Sequence, residues 1–266
     1  MPDMSLALQR WLYVATVALL ACGLLLATSC TTVTRSVEEP LHIEGAEFVG
    51  NQACMDCHAT IHQKFPANPH ARVKIRTAKG SLDTSCEACH GPGSRHVATG
   101  GQGMDKFILN PKKTSEACFR CHQNVHAEFR LPHHHPVLEG HLNCVQCHDP
   151  HGHDMMKPAG GLGLARVNQS CAQCHQEQSR KFVFEHEAMR EGCIVCHNPH
   201  GTVHPKLLVQ HDSNLCLKCH AQTQTAPGNL FIGKVNHTTF VRQGGCWTAG
   251  CHAAVHGSNI NPKLQY

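Results

Sequence analysis

Cysteine and histidine carry most of the chemistry this chain could perform, and they recur in one order. Cys-x-x-Cys-His is met at Cys54, Cys57 and His58; at Cys86, Cys89 and His90; at Cys118, Cys121 and His122; and at Cys144, Cys147 and His148. It returns at Cys171, Cys174 and His175; at Cys193, Cys196 and His197; and at Cys216, Cys219 and His220. An eighth, stretched copy reads Cys246-Trp-Thr-Ala-Gly-Cys251-His252. On one helical turn, cysteines at i and i+3 face the same side and can both add to the vinyl groups of one haem, and the next histidine reaches the iron. A single copy could be half of a zinc site, but zinc pairing needs no histidine after every second cysteine. The set implies eight covalently attached c-type haems, each with its motif histidine as proximal ligand.

A disulfide framework fails on the count. The motifs use sixteen of the 18 cysteines, and the remaining two, Cys22 and Cys30, lie in the apolar N-terminal stretch.

The distal ligands must come from the other histidines, of which 25 less eight remain. After the first motif a unit recurs: an upstream His, a Gly a few residues on, a motif, a second His, and a closing motif. Four such units contribute His70 and His96, His135 and His151, His186 and His200, and His237 and His256. His62 competes with His70, and His133 and His134 compete with His135; any of the histidines left over are solvated or capping side chains. His151 and His200 stand out because both sit in Pro-His-Gly.

Positioning these residues falls to short elements. Asn51, Ser85, Ser115, Ser170 and Ser213 lie one to three residues before a motif and predict N-caps that open a helix at it. The longest predicted helix runs from Ser170 to Arg190, lays Phe182, Phe184 and Met189 on the porphyrin, and stops at Gly192 in the C′ position. Strand signals are absent, and Gly91-Pro92-Gly93, Gly100-Gly101 and Gly160-Gly161 mark turns. The expected fold is mostly irregular with short α-helices and little or no β-sheet, wrapped around a chain of haems.

Composition agrees. Aromatics at 5% and charged residues at 16% are too few for an ordinary core of this length, so the haems must supply it. The formal charge of +4 does not argue for nucleic acid: sixteen propionates against eight oxidised haem cores bring it to about −4, and no Lys/Arg stripe is clustered.

Residues 1–29 read as a secretory signal, with Arg10 before an apolar run from Trp11 to Ala27. That run is short for a membrane span, and small residues before Cys30 predict a lipoprotein whose acylated first residue is Cys30, with Cys22 as rival. Residues 30–50 form the lipidated N-terminus and tether, and 51–266 the octahaem domain. This places the domain in the bacterial cell envelope, in the periplasm, lipid-anchored at the outer membrane.

The Pro-His-Gly units, Gly91-Pro-Gly-Ser-Arg-His96, His134-His135-Pro136-Val137 and the closing Cys251-His252-Ala-Ala-Val-His256-Gly257-Ser258-Asn259 resemble the doubled-CxxCH cytochromes. Within them the chain is similar to the periplasmic decahaem component, of the MtrA and DmsE kind, of bacterial porin-cytochrome conduits, with eight motifs in place of ten. The resemblance implies electron relay across the periplasm or outer membrane between redox partner proteins, including a porin and an extracellular cytochrome. A multihaem reductase acting on nitrite or hydroxylamine, an extracellular filament subunit and a simple periplasmic shuttle are the competing readings. A reductase needs an open coordination position, often shown by a motif without its proximal histidine. All eight motifs here keep it.

Overall fold

The computed structural model describes residues 10–18, 35–37, 40–77, 80–152, 161–243 and 245–265. Cys22 and Cys30 lie outside the described residues. Residues 10–18 are helical, and among the described residues no helix is long and apolar enough to cross a membrane.

The chain folds as a string of one- and two-turn helices joined by turns. Helices at Gln52–Met55, Glu87–His90, Glu116–Phe119 and Asp212–Cys216 each overlap or abut a motif. Those at Ala59–Lys64, Gln123–Glu128 and Gln176–Ser179 start directly after a motif histidine. The longest, Gly161–Ala172, runs into the motif at Cys171 instead of away from it. Short 3₁₀ turns carry the motifs at Cys144–Gln146 and Cys193–Val195.

Among the described residues, eight short strands make three small sheets. β1 (Arg35–Val37) pairs parallel with β2 (Val73–Thr77), which pairs antiparallel with β3 (Gly80–Leu82). β4 (Phe184–Glu185) pairs with β8 (Gly257–Ser258). β5 (Gln222–Thr225), β6 (Asn229–Ile232) and β7 (Val235–Asn236) form an antiparallel meander.

Apolar burial is sparse, as the composition requires. Phe119, Phe129 and Val137 form one small cluster, with Val125 and Leu142 against it. A buried carboxylate organises the start of the domain: Glu87, 1% exposed, accepts from the amides of Val49, Gly50 and Gly93. Three amide donors on one carboxylate satisfy an otherwise costly buried charge. They also fasten the segment before Asn51 to the second motif, while β1 joins residues 35–37 to β2.

Two expectations are corrected. The helix from Ser170 to Arg190 does not form: Arg180 turns extended, Phe184–Glu185 becomes β4, and Gly192 has its positive φ ahead of the Cys193 turn. Tertiary pairing with β8 overrides local helix preference there. Asn51 and Ser115 do precede helices, but neither side chain caps its own. Asn51 instead accepts from the amide of Cys86, and Asn168 does the same for Cys193, each 3.1 Å long. The polar residue three before an odd-numbered motif therefore clamps the motif that follows it, and Ser213 repeats this toward the Cys246 sulfur.

Candidate haem centres

Each motif closes on itself by one backbone bond. The amide of the motif histidine donates to the carbonyl of the first cysteine in all seven regular copies, at 2.8 to 3.1 Å, which is one α-turn bringing both sulfurs and the imidazole to one side. The stretched copy makes the same bond: His252 N reaches Cys246 O at 3.0 Å. Its two extra residues are absorbed at Gly250, whose φ of +79° only glycine adopts freely. Asp212 holds the rest, accepting from the amides of Trp247 and Thr248 and from the Thr248 hydroxyl.

Consecutive motifs lie side by side, with alternating sulfurs. The first cysteines adjoin in Cys54 with Cys86, Cys118 with Cys144, Cys171 with Cys193, and Cys216 with Cys246. As free thiols, Cys171 is pushed up to about 11 and Cys216 to about 12, by burial first and then by the neighbouring sulfur. The second cysteines meet in Cys89 with Cys121, Cys147 with Cys174, and Cys196 with Cys219; burial and then the facing thiol push Cys89, Cys147 and Cys196 up. The eight motifs therefore follow one another in sequence order.

Imidazole rings face each other across gaps of one size. His90 and His151 are 5.9 Å apart between ring centres, His148 and His200 6.0 Å, and His197 and His256 6.1 Å. His122 and His70 stand at 6.1 Å, His175 and His135 at 6.0 Å, and His220 and His186 at 6.2 Å. A metal bonded to both rings at about 2.0 Å per nitrogen would set the centres about 6.2 Å apart. The spacing alone is not diagnostic, since His204 and His211 also stand 6.0 Å apart and neither belongs to a motif. The composition of the six pairs is: each joins one motif histidine to one expected distal histidine.

The pairs obey a register. The second, fourth and sixth motifs take a histidine from beyond the motif two places ahead. The third, fifth and seventh take one from the gap between the two motifs behind them. His58, His96, His237 and His252 are not among the six pairs. Burial above all lowers the affinity of His90 for protons, with its partner His151 and then His58 and His96 adding to the effect. His148 is lowered by an equivalent set, its partner His200 with His122 and His70, which are the pair of the adjoining motif.

The rings are held ready for a metal. Nδ1 of His90 faces Leu109 O at 3.0 Å, that of His135 faces Pro199 O at 2.7 Å, and that of His186 faces Val255 O at 2.9 Å. His197 and His252 do the same to Lys206 O and Lys263 O, both at 2.7 Å, and His237 to Val235 O at 2.9 Å. A carbonyl only accepts, so Nδ1 carries the proton and Nε2 keeps its lone pair for iron. Burial holds His90, His148 and His256 below the ordinary imidazole range, which keeps that lone pair free of a proton.

The motifs are shared with known proteins. The doubled CXXCH motif family matches residues 134–180 and 186–225, and the cytochrome c554 and c-prime family matches residues 27–91. The multiheme cytochrome MtrA of Shewanella baltica is 31% identical over 218 residues, 79% of this chain and 58% of that protein. The chain is a multihaem c-type cytochrome. It is also 23% identical over 176 residues to the C-type polyheme cytochrome OmcC of Geobacter sulfurreducens, 66% of this chain and 21% of that one. The cytochrome thus spans a little over half of the first relative and about a fifth of the second. An undecaheme cytochrome from the S-layer of Carboxydothermus ferrireducens shares 21% identity over 53% of this chain and 24% of its own, with a TM-score of 0.17.

Sequence reasoning missed the carbonyls that orient the motif histidines. Their signal was present: Pro205-Lys206-Leu207 and Pro262-Lys263-Leu264 are the same tripeptide after two motifs, and each includes a positive φ that turns its lysine carbonyl inward. The glycine of Pro-His-Gly is explained at Gly201, where a Cβ would collide with the carbonyl oxygen of Glu128.

Proposed function

We propose that this cytochrome carries eight c-type haems in single file and passes electrons along them within the bacterial cell envelope. The register of the six imidazole pairs carries the reading, because it assigns one distal histidine to each of six motifs and leaves few alternatives. His96 then serves the motif at Cys54, consistent with the matching surroundings of His90 and His148. His237, its Nδ1 already anchored on Val235, serves the motif at Cys246. Haem iron held between two imidazoles exchanges single electrons with little change of geometry and leaves no position for a substrate. The residues do the rest: the alternating sulfurs fix neighbouring attachment points close together, and the backbone carbonyls fix the ring planes.

The similarity to MtrA supports redox proteins as partners, and we propose an outer-membrane porin and an extracellular cytochrome among them; the small residues before Cys30 argue separately for a lipid anchor at that cysteine. Intact-mass spectrometry of denatured protein should show the processed chain plus eight haems, and carbon monoxide should leave the reduced spectrum unchanged. A stoichiometric carbon monoxide adduct with catalytic current on nitrite or hydroxylamine would replace this reading with an enzyme.

A further inference from the structure

The Nδ1 of His200 meets a different kind of acceptor from those of six other described histidines. Nδ1 of His90, His135, His186, His197 and His252 faces a neutral backbone carbonyl, and that of His70 faces the Asn68 amide oxygen at 2.8 Å. Nδ1 of His200 faces the carboxylate of Glu128, with Oε2 at 3.1 Å. The placement is built in. Glu128 ends the helix Gln123–Glu128, its backbone carbonyl abuts Gly201, and the Asn198 amide reaches the same Oε2 at 3.4 Å. Phe129, the next residue, leans on the His200 ring with centres 5.4 Å apart. His200 and Glu128 keep side-chain exposures of 26% and 36%, so the carboxylate acts partly shielded from water.

We propose that Glu128 is a positioning residue that sets the reduction potential of the centre held by His148 and His200, making it the lowest of the middle centres. This rests on the reading of that pair as two axial ligands of one haem. A carboxylate accepting from Nδ1–H draws the imidazole toward imidazolate, so Nε2 becomes a stronger donor and favours ferric over ferrous iron. The couple is one electron taken up or released at the iron; the Nδ1 proton stays on His200, and Glu128 stays anionic. A low-potential centre in mid-chain divides the relay into two pools of higher potential, with a step between them that electrons cross without resting.

The test uses the holoprotein. In Glu128→Gln a potentiometric titration followed by EPR should show one couple moved to more positive potential and the other seven in place, while Glu128→Asp keeps it low. The converse variant, Asn68→Asp, places a carboxylate on His70 and should move a different couple to more negative potential. Eight haems by mass and an unchanged carbon monoxide response establish that the ligand pairs are intact in each variant, which separates this proposal from the ligation reading. Superimposable titrations for Glu128→Gln and the parent would overturn it. So would loss of the low-spin signal in Glu128→Gln with no shift in Asn68→Asp, which would leave Glu128 a packing role alone.

Discussion

At Cys193 two residues separate the cysteines and at Cys246 four do, yet in both the histidine amide closes on the carbonyl of the first cysteine at 3.0 Å. Both histidines then turn Nδ1 to the carbonyl of a lysine in Pro-Lys-Leu, at 2.7 Å. What differs is the support. The Cys193 amide donates to Asn168, while the longer loop leans on Asp212 with two amides and a hydroxyl, and passes through the left-handed region at Gly250. The attachment geometry thus depends on the closing bond and the sulfur that starts it, and the intervening length is free provided something holds the extra turn.

That comparison can be broken in three places. Removing the support should have the largest effect. Asp212 is 1% exposed, and Asp212→Leu leaves the amides of Trp247 and Thr248 without an acceptor, at about 1–3 kcal/mol each. Haem loading should fall from eight to seven by intact mass, with the loss mapped to the Cys246 peptide. Full loading would show that the long loop holds itself. Gly250→Val should act more weakly. A φ of +79° costs a side chain about 1–2 kcal/mol, and a β-branched one more, although no atom crowds the position. The expected product is a mixture of seven- and eight-haem protein, and uniform eight-haem protein would mean that another residue absorbs the extra length. Deleting Thr248 and Ala249 should do least, because it produces Cys-Trp-Gly-Cys-His with the closing bond intact. Loading should stay at eight with a Tm a few degrees lower, and loss of that haem would show that the length itself matters.

The eight motifs were legible in the sequence because they recur, seven of them at the fixed local spacing that thioether chemistry would demand. Repetition picked out the candidate distal histidines, and six of the eight, His70, His135, His151, His186, His200 and His256, stand opposite a motif histidine, while His96 and His237 are in none of these pairs. Which stands opposite which was not legible, since each pair joins different repeats and nothing local encodes the partner. The same cause hid the true work of Asn51, read as a cap on its own helix but spent on Cys86. It also hid β4: Phe184 and Glu185 suit a helix by themselves, and only Gly257 and Ser258 arriving from the far end make them a strand. The hairpin of β5 and β6 had a local signal in Pro227-Gly228 between Thr225 and Asn229, a turn pair that the abundance of glycine and proline elsewhere obscured.

The register of the pairs gives assembly a direction in time. If the chain is exported from its N-terminus and ligated as we propose, a haem joined to Cys193 and Cys196 would have its motif histidine at once and would wait for His256, the whole next repeat later, before its second face is covered. The third, fifth and seventh motifs find theirs already made, at His70, His135 and His186. Half-built protein therefore alternates finished and unfinished centres. With the proposed ligands, a chain cut short after any even-numbered motif would leave earlier haems exposed on one side, and the expected result is a truncated product that binds carbon monoxide while the full one does not. Closing those faces requires contacts between distant segments, the slow class of folding event. On that reading the thioether bonds would hold each haem on its cysteines while its second face is still open.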